Sequence, residues 1–361
     1  MTGWYTQYAW DALFLCVSQN LQHVENRKLL MSPTSVMKIK GQNQKTLKSS
    51  IECSGIGLHS GDKINMILHP AEADSGITFR RSDIHGGGAE IKASFDNVRD
   101  TRLCTTIGDE NGISISTVEH LMAALAGAGV DNVTVEVSGG EVPIMDGSAA
   151  PFMFLIDCAG LVEQDAVKRV IRVKKPVVVS DGNKSASLMP SDDFSIDFEI
   201  DFDSPAVQRQ SMRVDMIDGV FKNELARART FGFMHEVEAL RAAGFAKGGS
   251  LDNAVVVSGS EVLNEDGLRF GDEFVRHKIL DAVGDLYLAG GTIAGHFSGV
   301  CTGHSLNNKL LRALFADEAN YEWIDAAEVS NKAFAKTVST SPANGASAWN
   351  GKTAVAGPIT V

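Results

Sequence analysis

The sequence predicts an α+β fold, and three observations carry that expectation. Short segments of alternating polar and apolar residues recur along the chain. Stretches of helical periodicity are interleaved with them. The alternating segments follow one another mostly as meanders, which favour antiparallel pairing over a doubly wound parallel sheet. In chain order, strands are expected at Ile64–Leu68, Asn132–Ser138, Arg169–Ser180, Phe194–Phe202 and Gly291–Cys301. Helices are expected at Thr117–Ala126, Ala149–Ala159, Asn223–Arg229, Glu236–Ala243, Asp272–Leu288 and Ser305–Phe315. Ser116 and Glu119 have the spacing of a capping box at the start of the first of these.

A chain of 361 residues is long enough for two domains and for a core that needs no covalent staple. The charged, apolar-poor stretch Val162–Lys168 lies between a helix and a strand and marks the expected boundary. The two ends differ from the body. Trp4, Tyr5, Tyr8 and Trp10 are half of all Trp and Tyr, and the C-terminal stretch is rich in Ala, Ser, Thr and Gly. The expected organisation is therefore a dispensable extension (1–36), a first domain (37–165), a second domain (166–322) and a flexible tail (323–361).

The composition excludes several classes. Lys and Arg total 33 against 45 Asp and Glu, a net charge of −12, so a sequence-nonspecific nucleic-acid binder is not expected. The five cysteines are scattered and form no C-x-x-C, which fits a reducing compartment better than a disulfide framework or a zinc ribbon. No apolar run reaches the roughly 18 residues of a membrane span, and no signal peptide is evident, so a cytoplasmic location is expected.

Several near-motifs fail. Gly55, Gly57 and Gly61 miss the dinucleotide fingerprint by one residue. Asn350-Gly351-Lys352-Thr353 imitates a phosphate loop with its upstream glycine misplaced. His235-Glu236 opens a zincin signature that Ala239 breaks, and both residues read as solvated surface. Gly299-Val300-Cys301-Thr302-Gly303 resembles a nucleophile elbow, which keeps a cysteine amidohydrolase as one alternative. The plainer reading of Cys301 is a small residue in a tight strand-to-helix turn.

The strongest chemical signal lies in Phe274–Leu286. Val275, Ile279, Val283 and Leu286 form one helical stripe, and His277, Asp281 and Asp285 form another at i, i+4, i+8. An imidazole and a carboxylate one turn apart suit a shared cation. Taken alone, a hydrogen-bonded pair on a wet face fits equally well. His120 stands in the first turn of a helix that is apolar nearly all round, where the helix dipole disfavours its protonation. His304 sits at the mouth of another helix. Together, His120, His277 and Asp281 supply three ligands of a hydrolytic zinc site. Glu119 is then placed to take a proton, and His304 to stabilise an oxyanion or protonate a leaving group, with Asp285 favouring its charged form.

The stretches GIGLHSG (55–61), DTRLCTT (100–106), STVEHLMAALAG (116–127), PIMDGSAAPF (143–152), ARTFGF (228–233), LNEDGLRFGDEFVRHKILDAVGDL (263–286) and GHSLNNKLL (303–311) closely resemble the UDP-3-O-acyl-N-acetylglucosamine deacetylase family, LpxC. The resemblance implies two similar layered domains, each with an insert, and a zinc site between them. It implies hydrolysis of the N-acetyl group of a UDP-linked acylated glucosamine, the committed step of lipid A synthesis. The metal ligands fall on His120, His277 and Asp281, the general base on Glu119, and the proton donor or electrostatic stabiliser on His304 with Asp285. Substrate contacts fall on Lys278, Thr230, Phe231, Leu103 and Cys104, with a more remote phosphate contact on Lys184. An insert at about 231–258 would form the acyl-chain passage. One Zn2+ is implied, with ferrous iron as the alternative ion in the cell, and a monomer is expected. A non-catalytic sugar-nucleotide binding module is the remaining alternative, and the presence of both Glu119 and His304 speaks against it.

Overall fold

Alternation in the sequence becomes a pair of mixed sheets, and a computed structural model describes them over residues 43–84 and 89–329. The first sheet has five strands in the spatial order Ile51–Ile56, Lys63–Pro70, Val133–Val137, Ile77–Arg81, Glu90–Lys92. All neighbours are antiparallel except Val133–Val137 with Ile77–Arg81, which run parallel. Their inward residues include Ile64, Met66, Leu68, Phe79, Val133, Val135 and Val137, all nearly inaccessible to solvent. Period-2 burial of this kind fixes the register, since a one-residue slip would expose the whole set.

The second sheet repeats this plan. Its strands Val177–Asp181, Lys184–Met189, Thr292–Val300, Phe194–Asp201 and Arg209–Asp215 lie in the same order, with the parallel pair again third against fourth. The helices repeat as well. Helix α1 (Glu119–Ala128) precedes the third-placed strand of the first sheet and α2 (Ala150–Ala159) follows it. An inserted β-α-β unit carries α3 (Met234–Ala242). Helices α4 (Glu273–Tyr287) and α5 (His304–Phe315) flank the third-placed strand of the second sheet. Each half also closes with an antiparallel pair, Asn43–Leu47 with Leu161–Val167 and Arg169–Val173 with Tyr321–Asp325. The inserts occupy matching places, with strands Val98–Asp100, Thr106–Gly108 and Ser114–Ile115 before α1, and Phe231–Phe233, α3, Val255–Ser258 and Glu261–Val262 before α4.

The counterparts α1 and α4 pack against each other. A Cβ on Gly284 would lie 2.0 Å from the carbonyl oxygen of Glu119, so only glycine permits this approach. Both helices are buried around most of their circumference. In α4 this includes Val275, Ile279, Val283 and Leu286, each worth about 1.5–3 kcal/mol on full burial.

Several expectations need correction. The strand expected over Arg169–Ser180 is two strands, Arg169–Val173 and Val177–Asp181, broken at Pro176, which has no N–H for a ladder. The helix expected over Asn223–Arg229 is a single wide turn at Phe221–Leu225. The stretch Val162–Lys168 is mostly strand, with Val162 opposite Thr46 and Val167 opposite Asn43. Residues 323–329, expected in the tail, are not tail: Trp323 and Ile324 pair with Ile171 and Val170, and a helical turn follows at 326–329. The capping box does not form. Thr117 adopts a left-handed φ of 59°, Val118 takes the cap position, and the Glu119 side chain turns elsewhere. The expected extension (1–36) and residues 330–361 lie outside the described residues.

Replacing Gly284 by Ala is expected to force α1 and α4 apart, lowering stability by about 1–3 kcal/mol as in other overpacked interiors. Chemical denaturation measures this, and an unchanged midpoint would show that the crossing tolerates the extra methyl group.

Candidate metal centre and active site

The helical spacing of α4 places His277, Asp281 and Asp285 on one face, and that face is not wet. All three side chains are buried, as are Glu119 and His120 at the start of α1. The α1–α4 crossing brings His120 against His277 with the rings edge-on, 4.9 Å between centroids and 85° between planes. The Nε2 atoms of His120 and His277 lie 3.4 and 3.3 Å from Oδ1 of Asp281. Ligands of a tetrahedral zinc ion, bonded at about 2.0–2.1 Å, sit about 3.4 Å apart.

The protonation pattern fits a cation. His277 Nδ1 donates to the carbonyl of Ala228 at 3.1 Å, which leaves the Nε2 lone pair facing Asp281. Burial pushes His277 down to about 4, so its neutral form prevails. Burial opposes charge on Asp281 too, yet His277 and Lys278 hold it well below the usual carboxylate range. Lys278 Nζ donates to Oδ2 of Asp281 at 2.6 Å. Oδ1 of the same carboxylate is buried and has no hydrogen-bond partner. A buried anionic oxygen without a donor is costly in a protein interior, and a metal ion would satisfy it. Among the described residues, this is the one group of His, Cys, Asp or Glu side chains close enough to hold an ion.

Two titratable groups flank these three side chains. Glu119 is buried, and that burial raises its carboxyl, with His304 and His120 partly offsetting the rise. Its Oε2 accepts the backbone N–H of Thr105 at 3.0 Å. His304 is the first residue of α5 and donates Nδ1–H to Oδ2 of Asp285 at 2.8 Å. Burial opposes its charge, but the Asp285 carboxylate, followed by Glu119 and Asp281, brings it up to about 9. Asp285 also accepts Asn307 Nδ2 at 2.8 Å and Thr105 Oγ1 at 2.6 Å.

A cavity of about 220 Å³ collects most of the expected site residues: Leu103, Glu119, His120, Thr230, Phe231, His277, Lys278, Asp281 and His304. Asp285 stands behind His304. Cys104 is buried and faces a neighbouring cavity with His59 and Arg102, its thiol pushed up to about 12 by burial. Lys184 lies apart, exposed at the tip of the Val177–Asp181 and Lys184–Met189 hairpin. Cys301 occupies the strand-to-helix turn in a left-handed conformation (φ 49°), its N–H bonded to Glu199, and it does not line the cavity. Phe202, Gly232, Phe233 and Glu236 complete the lining; none was singled out from the sequence as a site residue, although the last three fall in the expected 231–258 insert. Phe202, Phe231 and Phe233 form a cluster with centroid separations of 5.6–6.4 Å. The cluster joins a strand end to the insert; Phe231 and Phe233 stand in the quoted stretch ARTFGF, whereas Phe202 carries no local sequence signal. Thr105 and Asn307 were also missed, although both stand in the quoted stretches DTRLCTT and GHSLNNKLL.

Comparison with known proteins points the same way. The LpxC family, described as UDP-3-O-acyl N-acetylglycosamine deacetylase, matches residues 44–316. A protein named UDP-3-O-acyl-N-acetylglucosamine deacetylase from Acidithiobacillus ferrooxidans is 56% identical over 287 residues, covering 79% of this chain and 94% of that one. Proteins of the same name from Saccharophagus degradans and Marinobacter nauticus are 53% and 52% identical, covering 78% and 77% of this chain and 93% and 92% of theirs.

His277→Ala is expected to abolish stoichiometric metal binding, whereas Cys301→Ala keeps both metal and turnover. Metal analysis of the purified variants checks the first, and an activity assay the second. A metal-replete but inactive Cys301→Ala protein would restore the thiol alternative.

Proposed function

The chain belongs to the LpxC family of UDP-3-O-acyl-N-acetylglucosamine deacetylases, and from that premise we propose how its own residues divide the reaction. The enzyme hydrolyses the N-acetyl group of UDP-3-O-acyl-N-acetylglucosamine, giving the free amine and acetate, in lipid A biosynthesis. The observation that carries the assignment of roles is the unpartnered Oδ1 of Asp281, set 3.3 and 3.4 Å from two imidazole nitrogens and flanked by Glu119 and His304.

In this reading, His120, His277 and Asp281 hold one zinc ion; two nitrogens and a carboxylate oxygen suit it. When bound, the ion supplies Lewis-acid polarisation of water and of the amide carbonyl. Glu119 takes a proton from the attacking water as its oxygen bonds to the acetyl carbon. A buried carboxyl with a raised affinity for protons suits that role. His304, kept cationic by Asp285, faces the charge that develops on the carbonyl oxygen and gives its proton to the departing amine. The C–N bond breaks and acetate is left. Lys278 holds Asp281 through Oδ2 and presents its ammonium to the same cavity. Thr230, Phe231 and Leu103 contact the sugar and acyl groups, with Cys104 behind the rim. The Phe202–Phe231–Phe233 cluster offers an apolar surface to the acyl chain. Lys184, exposed on its hairpin, is assigned to a phosphate further out.

We assign the reaction to the cytoplasm and to a monomer. No helix among the described residues is long and apolar enough to cross a membrane. Two halves that meet at Lys168, a little later than the expected 165/166 boundary, with the second including the strand Tyr321–Asp325, are proposed as the two domains, and the repeated strand order supports that division. Residues 1–36 are proposed to be dispensable.

Four outcomes test these assignments. Glu119→Ala and His304→Ala are each expected to lose about 10²–10⁴-fold in kcat while retaining zinc. Activity is expected to fall as pH rises through about 9, because His304 is cationic below that value and neutral above it. Asp285→Asn removes the carboxylate that raises His304, so its basic limb should move to lower pH. An unchanged limb in that variant, or full turnover by His304→Ala, would reassign the proton donor. A chain beginning at Met37 is expected to keep wild-type kcat and melting temperature, and a large drop in either would give residues 1–36 a role.

A further inference from the structure

Glu119 and Asp285 sit on different helices, yet one residue touches both. Thr105 is buried, 2% exposed. Its backbone N–H donates to Oε2 of Glu119 at 3.0 Å, and its hydroxyl donates to Oδ1 of Asp285 at 2.6 Å. Its carbonyl accepts the N–H of Val118, the cap residue of α1, at 3.3 Å. All three polar groups of this one residue are thus spent on the machinery of the site.

We propose that Thr105 is a positioning residue that sets the proton acceptor from one half and the proton donor from the other in a single frame. The inference rests on the reading of Glu119 and His304 given above. Two carboxylates near each other repel, and a residue donating to both offsets that repulsion without adding a charge. The Asp285 carboxylate has three donors: Thr105 on Oδ1, and His304 and Asn307 on Oδ2. Donors on both oxygens fix the rotation of the carboxylate plane, and the His304 imidazole bonded to it takes its direction from that plane. Without the hydroxyl, Oδ1 loses its partner and the carboxylate can turn, carrying the imidazole away from the acetyl group. The contact to Glu119 uses backbone and survives any side-chain change, so substitution isolates the hydroxyl arm.

The test compares Thr105→Val, which keeps the shape and removes the hydroxyl, with Thr105→Ser, which keeps the hydroxyl, in the full-length zinc enzyme. Thr105→Val is expected to lower kcat about 10–100-fold, the usual effect of removing such a supporting hydrogen bond, with KM and bound zinc unchanged. Thr105→Ser should stay close to wild type. In the metal-free protein, the NMR signal of the His304 Nδ1 proton should shift in Thr105→Val and not in Thr105→Ser. Should Thr105→Val fail to fold, Thr105→Ala removes the same hydroxyl and is read in the same way. Wild-type kcat and an unmoved proton signal in the hydroxyl-less variant would overturn the proposal. So would equal impairment of the Val and Ser variants, or loss of zinc from the Val variant, either of which signals packing alone. His304→Ala and Glu119→Gln serve as separate controls. If those are inactive while Thr105→Val is normal, only this inference falls; if they are active, the underlying assignment falls.

Discussion

Everything at the site depends on how closely two helices cross. The missing side chain of Gly284 lets the α4 backbone approach the carbonyl of Glu119 to a distance no other residue allows. That contact sets the spacing between His120 on one helix and His277 and Asp281 on the other. A set of metal ligands tolerates errors of only a few tenths of an ångström. Here the tolerance is met by packing: the helices are buried on nearly all sides and cannot slide.

The electrostatics follow from that burial. Three carboxylates, Glu119, Asp281 and Asp285, lie in one dry region of a chain that is already acidic overall. Each is balanced in its own way. Asp281 has Lys278 on one oxygen, with its other oxygen turned toward the two imidazoles. Asp285 is neutralised by the His304 cation and two neutral donors. Glu119 has one backbone N–H, and its proton affinity rises accordingly. The least compensated carboxylate is the one assigned to accept a proton, which is what a base needs.

Much of this was legible in the chain itself. The stripe His277, Asp281, Asp285 follows from helical spacing, and His120 stood out as a lone polar ring in an apolar helix. That those helices meet was legible only through the chemistry and the family resemblance that put His120 with His277 and Asp281, because no local pattern reports that residues so far apart in sequence will touch. Thr105 shows the limit well. Its hydroxyl reaches a carboxylate 180 positions away. The capping box at Ser116 and Glu119 misled because the left-handed Thr117 redirects the chain, and Glu119 bonds to Thr105 instead. The repetition of the two halves is a property of strand order and direction alone. It survives without matching residues, so a single sequence hides it.

The join between the two halves has a mechanical consequence. The strand Leu161–Val167 ends one half and Arg169–Val173 begins the other, leaving Lys168 alone between them. Lys168 is itself held, its Nζ 2.8 Å from Asp131 and its carbonyl bonded to the N–H of Ala326. The join therefore holds no slack segment: one residue, itself anchored to both halves, connects the two strands. The β-α-β insert is built differently: its helix α3 has no buried residue, and its far end rests on the loop at Leu58 and His59 through backbone hydrogen bonds. The cavity is thus built from two unlike materials, an exposed helix at its rim and two buried helices beneath it.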